Sequence, residues 1–108
     1  MSKLYQRFEV LLPRRFNDGA LVPDSIIGET LLELEQQFGA VSSESQTIHG
    51  IWSHEGISYR DELIRVFVDV PEQKRADTRV FFDVFKERLK SRFQQIDIWM
   101  TTYPVELI

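Results

Sequence analysis

The chain has 108 residues, no cysteine and a net charge of −4, from 13 Lys and Arg against 17 Asp and Glu. That length is one domain with a single two-layer core, and the missing cysteines exclude disulfide scaffolds, Cys-based zinc sites and thiol nucleophiles; a reducing compartment, the cytoplasm, is expected. The acidic balance runs against non-specific nucleic-acid binding, which neutralises phosphates with clustered Lys and Arg, and no apolar run approaches the ~20 residues that cross a membrane. Met1 to Leu4 carries a lysine but no apolar export segment.

Taken in chain order, the hydrophobic period switches from two to 3.6, back to two twice, to 3.6 and to two again. The first predicted strand is Tyr5 to Leu12, where Phe8, Val10 and Leu12 alternate with Arg7, Glu9 and Leu11, and Pro13 ends it. Arg14 to Val22 holds the turn sequence Asn17-Asp18-Gly19 and reads as a loop. Asp24 or Ser25 is expected to cap a helix that begins near Pro23, buries Ile27, Leu31, Leu34 and Phe38 along one stripe, and stops at Gly39. Gly28 inside that helix is an isolated glycine that fits close packing better than phosphate binding. Ser42, Ser43 and Ser45 follow, with no nucleophile elbow around them.

A second strand from about Thr47 to Ser53 and a third from about Ile57 to Val70 flank His54-Glu55-Gly56. A two-residue loop, Glu55-Gly56, sets Trp52 opposite Tyr59 and Ile48 opposite Leu63. A three-residue loop aligns Ile48 and Trp52 with the apolar face Ile64, Val66, Val68 and Val70, and is preferred on that ground. Pro71 closes the strand. Asp77 or Thr78 then starts a second helix with the stripe Phe82, Phe85, Leu89 and Phe93, and its last turns gather Lys86, Arg88, Lys90 and Arg92 against the dipole. The last strand, Ile96 to Tyr103, is expected to bury Ile96, Ile98 and Met100 and to turn Trp99, Thr101 and Tyr103 outward, with Pro104 to Ile108 docking behind it.

The order βαββαβ predicts an α+β domain of the ferredoxin-like class, a four-stranded antiparallel sheet in the order 4-1-3-2 with both helices on one face. The other face is left open. It is expected to carry Arg7, Glu9 and Leu11 from one central strand, Arg65, Phe67 and Asp69 from the other, Trp99, Thr101 and Tyr103 on one flank, and Tyr59, Asp61, Ile51 and His49 on the other. Aromatics mixed with arginine match the residue types enriched in interface cores.

Gly50-x-Trp52-x-x-x-Gly56-x-x-x-Arg60, followed by Arg65-Val66-Phe67-Val68, resembles a family of small, functionally uncharacterised bacterial α+β proteins that share a G-x-W hairpin before an apolar strand. The resemblance implies a hairpin-plus-sheet scaffold and brings no catalytic residue. Members of that family tend to carry export signals, a pattern from which this chain departs.

The expected function is a binding or assembly module that forms a homodimer through the open sheet, with Arg7, Glu9, Leu11, Ile51, Tyr59, Arg65, Phe67, Asp69, Trp99 and Tyr103 at the interface or around a ligand. One alternative is a dimeric α+β-barrel enzyme acting on a small anionic organic ligand, such as a monooxygenase, isomerase or decarboxylase, with His49 as base, Asp61 or Glu62 as its carboxylate partner and Arg7 or Arg65 holding the anion. Another is a regulatory domain that takes a protein partner by face packing or strand addition. Nothing in the chain calls for a cofactor or a metal, and the two histidines fall at opposite strand parity. The basic-aromatic strand of an RNA-recognition sheet is absent, so neither nucleic acid nor membrane is an expected partner.

Overall fold

The computed structural model describes residues 3–44 and 46–108, so the readings of Met1, Ser2 and Ser45 lie outside the described residues. The elements run β1 (Lys3–Pro13), α1 (Asp24–Phe38), β2 (Ser42–Ser43), β3 (Ile48–His54), β4 (Ile57–Pro71), α2 (Arg75–Arg92) and β5 (Trp99–Leu107). They form an α+β fold with two helices and a five-stranded antiparallel sheet. β1 and β4 lie at its centre, β5 borders β1, and β2 and β3 follow one another along the far edge of β4.

The sheet has five strands where four were expected, because its outer edge is broken. Ser43 pairs with Val66 and Ile48 with Leu63, so between these two pairings the edge has two residues more than β4. Such a bulge accommodates the surplus and leaves side-chain parity unchanged. Cross-strand partners share a face. Phe8, Val10 and Leu12 of β1 therefore join Ile64, Val66, Val68 and Val70 of β4 on the helix side, and all seven are buried.

Against that surface α1 sets Leu34 and α2 sets Phe82, Phe85 and Leu89, with Phe93 just beyond its end; these are buried, as their helical spacing predicts. Phe82 stacks on Phe8 at 5.0 Å and on Phe38 at 5.7 Å between ring centres, joining both helices to the sheet through aromatic contact. Arg92 ties α2 to α1 by donating to Thr30 Oγ1 at 3.0 Å and to Glu33 Oε1 at 2.6 Å.

Several local expectations are corrected. The hairpin has the two-residue loop: His54 pairs with Ile57 and Trp52 with Tyr59, and Glu55 and Gly56 take φ of 51° and 77°. Two successive positive φ values make the type I′ turn whose twist matches the flanking strands. The three-residue loop assumed that Ile48 and Trp52 must meet the helix-covered face. β3 instead pairs with the first half of β4, which runs past the end of β1, so local turn chemistry decides the register. Neither Asp24 nor Ser25 is the cap of α1; Pro23 occupies that position without a side-chain cap. α2 begins at Arg75, ahead of the expected start, because a 3-10 turn over Glu72–Lys74 leads into it.

β5 starts three residues later than predicted and runs on to Leu107, so the tail expected to dock instead pairs with β1 as far as Lys3. Ile96 is 56 % exposed rather than buried, because Gln94 at φ 54° turns the chain before the strand begins. Among the described residues no helix is long and apolar enough to cross a membrane.

Candidate functional site

The two central strands carry the charged middle of the uncovered face. Arg7 of β1 lies opposite Asp69 of β4, Glu9 opposite Phe67, and Leu11 opposite Arg65. Arg7 grips Asp69 bidentately, Nε donating to Oδ1 at 2.8 Å and Nη2 to Oδ2 at 2.9 Å. Arg65 donates to Glu9 Oε1 through Nε at 3.0 Å, and it also reaches Glu44, whose position beside Arg65 follows from the edge bulge. The Tyr103 hydroxyl donates to the same Glu9 oxygen. Both guanidiniums lie over the ring of Phe67, 4.2 Å and 4.4 Å from its centre.

This network sets the electrostatics. Hydrogen bonding to Asp69 raises the Arg7 pKa, and hydrogen bonding to Glu9 raises that of Arg65, so both stay charged. Burial works against ionising Glu9, yet hydrogen bonds from Arg65 and Tyr103 hold its carboxyl below the ordinary value of 4.5. Each arginine is thus already occupied by a carboxylate of its own chain.

Beside the network, toward the hairpin, lies a groove of about 390 Å³ on the same face. Leu11, Pro13 and Leu63 line it together with the indoles of Trp52 and Trp99. Trp52 stacks on Tyr59 at 4.5 Å and donates its indole N–H to Asp61 Oδ2, which fixes both side chains. Gly50 lies on the same wall, where a Cβ would make ordinary contact with Leu63 Cδ1 at 3.5 Å. Trp99 is 66 % exposed.

Of the sequence-derived set, Arg7, Glu9, Leu11, Arg65, Phe67, Asp69, Trp99 and Tyr103 share the open face, and Tyr59 joins them at the hairpin end. Ile51 does not. The two-residue turn pairs it with Arg60 and turns it to the other side of β3, 71 % exposed, yet it still borders the groove. His49 goes with it: it lies opposite Glu62, whereas Asp61 pairs with Gly50 and faces the other way. The base-and-orienter arrangement of His49 with Asp61 is therefore not assembled. Among the described residues no group of three or more His, Asp or Glu side chains could hold a metal ion. Trp52, Pro13 and Leu63 are groove residues that sequence reasoning missed; the Glu55-Gly56 turn was the signal that would have placed Trp52.

The protein is an α+β domain whose open sheet face carries an internally paired charged centre and an aromatic groove. No protein-family model matches the chain, and no curated protein does. Among solved structures it is similar to a phage SAM lyase in complex with S-methyl-5′-thioadenosine, with TM-score 0.66 and 10% identity over 96% of this chain and 88% of that one. It is similar also to a phage SAM lyase in the apo state, with TM-score 0.62 and 10% identity over 98% and 89%. At that identity the likeness is one of fold.

Proposed function

We propose that the protein is a cytoplasmic binding module that pairs with a second copy through the open face of its sheet, in a ferredoxin-like layout whose outer strand is split into β2 and β3. The observation that carries this reading is an uncovered face on which Trp99 stands 66 % exposed beside charges that are already paired within the chain. Burying an unpaired charge costs several kcal/mol, whereas burying a pair that keeps its hydrogen bonds costs far less. Covering this face desolvates complete pairs and gains the apolar area of Trp99, Tyr103 and Leu11.

The test is light scattering coupled to size exclusion, on the wild type and on Trp99→Asp. A wild-type dimer with a folded monomeric variant supports the reading, and a monomeric wild type at high concentration sinks it.

A second reading is favoured by the groove, which has the size and apolar lining of a small-molecule site. The neighbours of like fold are named for S-adenosylmethionine and S-methyl-5′-thioadenosine. On this reading the groove takes a compound with a flat ring, and those two are the first to offer it. Calorimetry with each tests it, and heat that vanishes in Trp52→Leu supports it.

A further inference from the structure

We infer that the groove between Trp52 and Trp99 selects a flat organic cation. The inference rests on the second reading above, that the groove takes a small molecule, and adds the charge of that molecule. It needs only one chain.

The groove's ionisable lining residues, among the described residues, are Asp61 and Asp97, and no Lys, Arg or His stands with them. Asp97 is engaged by Lys86 at 3.0 Å outside the groove. Asp61 accepts the Trp52 indole N–H on Oδ2 and has no protein cation within ion-pair distance among the described residues. Apart from the Gln95 side chain, the remaining lining is apolar, with Leu11, Leu63, Ile96 and the two indoles prominent in it.

An indole face attracts a cation more strongly than any other side-chain ring, and more so when water is excluded from the contact. A carboxylate held at the end of an apolar slot adds attraction of the same sign. The rigidity of the site favours one shape, because Trp52 is clamped between Tyr59 and Asp61. An anion would meet Asp61, a carboxylate with no counter-charge, and an uncharged apolar group would strip water from it and return nothing. A planar ring bearing a fixed positive charge satisfies the indoles and the carboxylate together.

The chain has two tryptophans, so two indole N–H signals in a nitrogen-labelled spectrum report the site directly. The probes are N-methylquinolinium and quinoline, which share a shape and differ in charge at neutral pH. The expected result is that the cation shifts both indole signals and binds about fivefold tighter than quinoline or better. Asp61→Asn, which retains an acceptor for Trp52, should cut that preference to about twofold or less, and Trp99→Leu should weaken both probes together.

Equal affinity for the two probes in the wild type overturns the charge assignment and leaves the groove reading standing. So does a cation preference that survives Asp61→Asn. If neither ring shifts either indole, the groove reading falls as well. Should Asp61→Asn fail to fold, the wild-type comparison of the two probes decides alone.

Discussion

Arg7 and Asp69 face each other across the two central strands and join through two parallel hydrogen bonds of 2.8 and 2.9 Å. The pair is a little over one-fifth exposed on each side, so its worth lies between that of a surface bridge and a buried one. Asp69→Asn keeps the shape and removes the charge. It should cost about 1 kcal/mol in urea unfolding, with an unchanged slope against denaturant, and high salt should shrink the difference.

Glu9 makes the face sensitive to acid. Its folded pKa lies below the ordinary 4.5 it has in an unfolded chain, so the unfolded state binds its proton more readily. The stabilisation is complete above that ordinary value and is lost as pH falls through the lower folded one. Glu9→Gln should therefore be less stable than the wild type at pH 7 and converge with it only as acidity carries the pH well below the ordinary value, which denaturation midpoints across the acid range will show.

The type I′ turn predicts a sign at each of its residues. Gly56 at φ 77° has open space around it, so Gly56→Ala pays for backbone strain alone, about 1 kcal/mol. Glu55 holds φ 51° with a side chain that disfavours it, and Glu55→Asn should gain about 0.5 kcal/mol. Amide exchange of the hairpin residues should quicken in the first variant and slow in the second.

Arg92 joins the helices through Thr30 and Glu33 while its side chain is only 16% exposed. Arg92→Met fills similar space and leaves those acceptors without their donor. We expect a loss of about 1–2 kcal/mol, read as a lower thermal midpoint, and a smaller loss in the double variant with Glu33→Met.

Legibility in the sequence followed burial. Phe8, Val10, Leu12, Ile64, Val66, Val68 and Val70 are each enclosed, so their alternation could be read directly, as could the helical spacing of Phe82, Phe85 and Leu89. Arg7, Glu9, Arg65 and Asp69 followed from the same parity. The hairpin was misread because neither of its faces meets the helices, and there a pattern of apolar residues carries no register. His49, Ile51 and Trp52 changed sides with that single step. The break between Ser43 and Ile48 left no signal of its own, since the surplus residues of a bulge sit in an ordinary polar stretch.

β4 outruns β1, so its residues 57–61 pair with β3 on one side and with no named strand on the other. A ribbon of this kind presents two unsatisfied rows of amide and carbonyl groups, the template from which intermolecular sheets grow. The molecule measures 47 × 29 × 26 Å, and the arm adds to its elongated outline. Arg60 and Asp61 stand along that stretch and Glu62 adjoins it, and their charges act as gatekeepers against fibre growth. Arg60→Val with Glu62→Val should leave the helical core intact and turn the arm into an aggregation seed, visible as thioflavin-positive material on standing.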